Sequence, residues 1–226
     1  MYADVIFTGA FVYTQDPENP RCNTIAAKGG VIQAAGSADL VDSLSDENTQ
    51  IVDLSEMFVL PGFIGTDSVL PSACFDLSDD EEIGTDLQAQ GYTTIFIKNA
   101  EKYGTALYEN ERIPQRFLFP EDAAGSVPAA EDDPYSDTPM HGPHEEIDKR
   151  TVTAADRFGI NSLSGSLKPG RYADLAVFSE DPFKFRRKKN AVLPEVALLV
   201  INGETVYDAE AEVDMEWYRL MASQQL

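Results

Sequence analysis

Residues 58–69 run Phe58-Val59-Leu60-Pro61-Gly62-Phe63-Ile64-Gly65-Thr66-Asp67-Ser68-Val69, and this stretch constrains the fold more than any other. An apolar run meets a Pro-Gly break, and a second apolar pair follows at once. Pro61 has no amide hydrogen to give to a strand ladder, and Gly62 permits a positive φ. The first strand therefore ends at the break, and the chain leaves its sheet there.

Before the break, residues 2–60 carry a succession of strand patterns. Residues 3–9 form one strand that ends in a turn at Gly9, and residues 10–14 form the next. Pro17 and Pro20 mark a loop. Thr24-Ile25-Ala26-Ala27 pairs across Lys28-Gly29-Gly30 with residues 31–36, because glycines between two β-rich runs signal a hairpin. Ser37 is placed to cap a short helix over residues 38–44, with Asp39 near its N-terminus. Residues 50–54 and 57–60 are two further strands.

After the break the pattern changes to alternating strands and helices. Ser78 and Glu81 stand at capping-box spacing ahead of Ile83 and Leu87, which predicts a helix stopped by Gly91. Tyr92-Thr93-Thr94-Ile95-Phe96-Ile97 is β-branched and aromatic, as a buried strand is. Residues 101–111 are a second helix and residues 116–119 a third strand. Strand, helix, strand, helix, strand implies a parallel arrangement. Residues 120–145 are rich in Pro, Gly, Ala and Asp and form a loop or linker. Residues 145–158 form one helix ending at Gly159. Asn202-Gly203 is a two-residue hairpin turn, and residues 210–226 are an acidic tail.

These segments resemble the amidohydrolase superfamily of metal-dependent hydrolases. In that family a strand "VLPGFID" leaves a small β-sandwich and enters a TIM barrel, and a His-x-His pair of metal ligands follows. This chain keeps Val59-Leu60-Pro61-Gly62-Phe63-Ile64 and then departs from the pattern. Gly65 stands in place of the Asp, Asp67 in place of the first His and Val69 in place of the second. Gly91-Tyr92-Thr93-Thr94-Ile95 resembles the second barrel strand. Residues 151–160 resemble the family's "T-x-N-A-A-x-x-L-G-L" helix. Ser164-Gly165-Ser166-Leu167-Lys168-Pro169-Gly170-Arg171-Tyr172-Ala173-Asp174-Leu175 resembles its "G-S-L-x-P-G-K-x-A-D-L" return.

The resemblance implies an α+β chain. Residues 1–61 and 160–209 would build a composite β-sandwich, with residues 62–159 inserted as a βαβαβ piece of a barrel. A (β/α)₈ barrel needs at least about 200 residues. The insert is less than half that length, so most of the barrel is expected to be missing. The open strand edges of such a remnant need covering, which makes a homodimer the expected assembly.

Composition sets limits on partners and location. The chain of 226 residues has a formal charge of −22. It repels phosphate backbones, which argues against nucleic acid. No run of about 18 apolar residues occurs, so no membrane span is expected. Met1-Tyr2-Ala3-Asp4-Val5 lacks a basic start, so no signal peptide is expected either. Cys22 and Cys74 are the only cysteines and are expected to be reduced, as in a cytoplasmic protein.

The candidate chemistry is sparse. The family's metal sites use four histidines and an aspartate, and this chain has only His141 and His144. These two, with a turn at Gly142-Pro143 between them, could share a divalent ion; a surface loop is the plainer alternative. Asp67 could ligate at the first-strand position. Asp137, in Ser136-Asp137-Thr138-Pro139, resembles the family's late metal aspartate; a polar turn is its plainer alternative. Lys98 is read as solvated or paired. The basic run over residues 184–189 is a solvated loop or a dock for an acidic partner. Two functions compete. In one, the chain has lost metal-dependent hydrolysis, needs no cofactor and acts as a binding or subunit-interaction module, with a small-molecule ligand possible. In the other it is a small zinc-dependent hydrolase of C–N bonds, such as those of a cyclic amide, using Asp67, Asp137, His141 and His144.

Overall fold

The computed structural model describes residues 1–66, 87–96, 116–118, 143–184 and 193–211. Strand β1 spans Val5–Tyr13. The turn expected at Gly9 is instead a bulge within one strand: Gly9 has φ 83°, and the register with β2 (Arg21–Lys28) shifts between Thr8 and Val12. An extra residue bends a strand and re-aims its edge. The bulge divides the far edge of β1 between two parallel partners. Residues 5–8 pair with β4 (Gln50–Asp53), and Phe11 and Val12 pair with Phe58 and Val59 of β5 (Phe58–Pro61).

Both predicted hairpins are present. Strand β2 returns as β3 (Val31–Gly36) through Gly29 and Gly30, at φ 56° and 78°. Strand β10 (Leu198–Ile201) returns as β11 (Glu204–Asp208) through Asn202 and Gly203, at φ 54° and 81°. Two consecutive left-handed residues match the twist of the flanking strands. Helix α1 covers Asp39–Leu44, but Ser37 does not cap it. Ala38 holds the N-cap position, and the Ser37 hydroxyl bonds the Asp39 carboxylate at 3.2 Å.

Strand β9 (Leu175–Phe178) lies between β5 and β10, antiparallel to both. The N- and C-terminal segments therefore share one eight-stranded sheet. Its order is β11-β10-β9-β5-β1-β2-β3, with β4 also on β1. The alternation of β9 sends Leu175 and Val177 into one apolar cluster with Val5, Ile25 and Val59. It sends Ala176 and Phe178 into another with Leu60, Phe63 and Tyr92. Burying each large side chain stabilises the fold by about 1.5–3 kcal/mol.

The chain crosses between sheets at Gly62. Pro61 is the last residue of β5 in register with Leu175, and Gly62 N–H donates to the Asp174 carbonyl at 2.9 Å. A second, parallel sheet then begins, formed by β6 (Phe63–Thr66), β7 (Tyr92–Phe96) and β8 (Arg116–Leu118) in that order. Gly62 would permit a positive φ at the break. Gly62 is not among the positive-φ glycines; what it provides is space, because Thr93 occupies the place of its missing side chain.

The single helix expected over residues 145–158 is two, α2 (Pro143–Arg150) and α3 (Val152–Arg157). They break at Thr151, whose φ and ψ are −123° and −99°. The Thr151 hydroxyl donates to the Ile147 carbonyl at 2.7 Å, a back-bond that bends helices. The break lets Ile147 join the cluster of Phe63 and Tyr92 while Ala154, Ala155 and Phe158 join Ile64 and Phe96. Residues 87–89 are helical. The remainder of that predicted helix, the helix expected at 101–111, and most of the 120–145 loop and of the acidic tail lie outside the described residues. No helix among the described residues is long and apolar enough to cross a membrane.

Candidate functional site

Parallel strands present ligands at their carboxyl ends. Here those ends are Thr66, Phe96 and Leu118. The strand faces leading to them are filled. Phe63 and Ile64 point to opposite sides of β6 and are both 0% exposed, as are Ile95 and Phe96 of β7. On one side Phe63 meets Phe178 of the large sheet, with ring centroids 6.1 Å apart. On the other Phe96 stacks on Phe158 of α3 at 4.4 Å, with the planes 5° apart. Thr66, Thr93 and Thr94 are buried with them. The Thr93 hydroxyl has no hydrogen-bond partner among the described residues.

A polar cluster ties α2 to β7. Glu146 Oε1 accepts from Arg150 Nε at 2.6 Å and pairs with Nη2 at 2.5 Å, one helical turn apart. Arg150 Nη1 donates to the Tyr92 hydroxyl at 2.8 Å, and the guanidinium carbon lies 5.7 Å from the Tyr92 ring centroid and 5.8 Å from that of Phe63. Burial pushes the Tyr92 hydroxyl above its ordinary value, with Arg150 opposing the shift. Glu146 Oε2 is buried with no partner among the described residues. Through Tyr92 the pair ties α2 to β7. Its sequence signal was the Glu146–Arg150 spacing of four, which alone does not reveal burial.

A cleft of about 310 Å³ opens where the β1–β2 loop meets α3 and the chain that follows it. Gln15, Asp16, Val152, Asp156, Lys168 and Arg171 are among its walls. Sequence reasoning missed this cleft, because its residues are drawn together from three distant segments.

Of the residues predicted to bind metal, the structure describes His144. It lies on α2, exposed, with its ring 4.4 Å from the Phe183 ring. Asp67, Asp137 and His141 lie outside the described residues. No group of three His, Cys, Asp or Glu residues among the described residues could hold a metal ion. Cys22 is partly buried, and burial pushes its thiol pKa up. Lys184 pairs with Asp181 at 3.4 Å. Lys98 and residues 185–189 lie outside the described residues.

No family model matches the sequence, and no curated protein sequence matches it. Solved structures do match the fold. One from Bifidobacterium longum assigned as a prolidase is 12% identical and aligns over 94% of this chain and 98% of its own, with a TM-score of 0.60. A variant of atrazine chlorohydrolase from Arthrobacter aurescens, complexed with zinc and atraton, is 12% identical over 91% of this chain and 96% of its own, with a TM-score of 0.59. Guanine deaminase from E. coli is 11% identical over 90% of this chain and 98% of its own, with a TM-score of 0.58. An enamidase described as a member of the amidohydrolase superfamily is 13% identical over 89% of this chain and 95% of its own, with a TM-score of 0.55; at these identities the likeness is one of fold.

Proposed function

We propose that this chain is an amidohydrolase-fold protein that has lost metal-dependent hydrolysis and serves as a binding or subunit-interaction module. In this reading the eight-stranded sheet is the family's composite sandwich, and β6-β7-β8 is what remains of the barrel. One observation carries the proposal: Asp67 and Val69 stand in place of the family's His-x-His, and the chain has two histidines in all. A hydrolytic zinc site needs about three protein ligands and an open position for water.

The assembly that suits the module is a homodimer, because among the described residues β8 ends the order of the parallel sheet, and a strand edge invites pairing. Light scattering of the concentrated protein is expected to give twice the chain mass; a monomer there overturns the dimer.

A second reading is a small metal-dependent hydrolase of C–N bonds, with zinc held by Asp67, Asp137, His141 and His144. It is favoured by the company the fold keeps: guanine deaminase, an enamidase and a chlorohydrolase with bound zinc. Elemental analysis of the purified chain separates the two. The first reading expects far less than about one zinc per chain. Stoichiometric zinc that disappears in the His141→Ala, His144→Ala double variant establishes the second.

A further inference from the structure

We propose that the cleft between the β1–β2 loop and α3 is a binding site for a small organic carboxylate, with Arg171 as its anchor. The proposal goes beyond the readings above and holds under either of them. The cleft, at about 310 Å³, falls at the lower end of small-molecule sites, which span about 300–1,000 Å³. Its size suits a compact molecule.

The charges around it are unequally satisfied. Lys168 pairs with Glu18 at 3.0 Å and with Asp16 at 3.6 Å. The Asp156 carboxylate accepts from the Asn161 amide at 3.0 Å. Arg171 differs. Its Nη1 donates to the Ser164 carbonyl at 3.2 Å and to the Ser166 hydroxyl at 2.5 Å, and no salt bridge joins it to a carboxylate among the described residues. Burial works against its charge, with Asp16 only partly offsetting that effect. In a chain with 39 acidic and 17 basic residues, Arg171 is the cation of this cleft that no carboxylate pairs among the described residues. The two bonds through Nη1 hold the fork in place, and a fixed planar fork matches a carboxylate with two parallel hydrogen bonds.

The neighbours select the kind of anion. Asp16 and Asp156 line the same cleft and disfavour a second negative charge, so a monoanion is preferred to phosphate. Val152 and Ala155 supply an apolar wall for a short hydrocarbon body. At the rim, Gln15 holds a left-handed backbone at φ 57°. It is kept there by its side-chain amide, which donates to Asp148 at 2.8 Å and to Thr151 at 3.4 Å. Strain of this kind in a non-glycine residue gathers at ligand clamps.

Isothermal titration of the full chain with butyrate, neutral butyramide and inorganic phosphate tests the site. Butyrate is expected to bind saturably at one site per chain, with butyramide and phosphate weaker by about tenfold or more. Arg171→Gln is expected to weaken butyrate by about tenfold or more, as loss of a charge-assisted bond does. Val152→Phe, which narrows the cleft at a partly exposed position and leaves the guanidinium in place, is expected to weaken it as well. Circular dichroism checks each fold, and Val152→Phe decides the matter if Arg171→Gln fails to fold. The proposal is overturned if butyrate does not bind, if phosphate binds more tightly, or if the folded variants bind butyrate as the native chain does.

Discussion

A Cβ placed on Gly62 would stand 2.3 Å from Thr93 Cγ2 and 2.4 Å from Thr93 Oγ1. The residue between the two sheets is therefore packed against the second strand of the parallel sheet. The large sheet ends at Pro61 and the parallel sheet begins at Phe63, so the whole crossing depends on this approach. Asp174 holds the same point from the other side. Its carbonyl accepts from Gly62 N–H at 2.9 Å, and its carboxylate accepts from Asn202 N–H at 3.0 Å, joining the crossing to the β10–β11 turn.

Gly62→Ala is expected to destabilise the chain by about 1–3 kcal/mol, the usual cost of overpacking a filled core. The backbone at Gly62 does not need a positive φ, so the penalty comes from contact with Thr93. Thr93→Ala in the same chain removes the two closest atoms, and only Cβ at 2.9 Å remains. Urea unfolding of the two single variants and the double variant gives the coupling. A favourable coupling of about 1 kcal/mol is expected, and strict additivity would show that Thr93 is not the obstacle.

Arg150→Ala is expected to cost about 3–5 kcal/mol, because it leaves Glu146 buried without its partner. The side chains of Arg150 and Glu146 are only 17% and 11% exposed, so solvent screens the pair little. Arg150→Met with Glu146→Leu is expected to recover much of the loss, since an apolar pair of similar volume replaces the ions. Chemical denaturation checks both. A loss below about 1 kcal/mol for Arg150→Ala would place the pair in the class of surface bridges.

The stability of the chain should fall at alkaline pH through Tyr92. Burial is the largest influence on its hydroxyl and raises it above the ordinary 10.0, with Arg150 lowering it and Glu146 raising it. Below that ordinary value both folded and unfolded states keep the proton, and the contribution is fully present. Above it the unfolded chain releases its proton first, so stability falls by up to about 1.4 kcal/mol per pH unit until the folded hydroxyl ionises. Tyr13 is raised as well, chiefly by burial, and adds a background common to all variants. Urea midpoints measured between about pH 9 and 11 are expected to decline more steeply for the native chain than for Tyr92→Phe. Parallel declines would remove Tyr92 from the account.

Local chemistry made much of this fold legible before any coordinates. Gly29-Gly30 and Asn202-Gly203 need left-handed backbone for their turns, and both take it. Tyr92-Thr93-Thr94-Ile95-Phe96 is a buried strand in parallel register with β6, as its β-branched and aromatic content predicted. Two readings were corrected for different reasons. Gly9 looked like a turn and is a bulge, decided by distant partners, since β4 and β5 divide one edge of β1. Residues 145–158 looked like one helix and are two, parted by the short back-bond from Thr151 to the Ile147 carbonyl.

The amino-acid order by itself determined where most of the strands lie, which glycine turns close the two hairpins, and that Pro61-Gly62 separates two kinds of β-structure. These are nearest-neighbour matters of dihedral preference, side-chain alternation and missing amide hydrogens. Only the tertiary structure decided that Gly62 serves Thr93 by its small size, that Glu146 and Arg150 are enclosed together against Tyr92, and that Arg171 lines a cleft with no carboxylate paired to it among the described residues. Burial and pairing depend on which distant segments meet, and no local pattern carries that information.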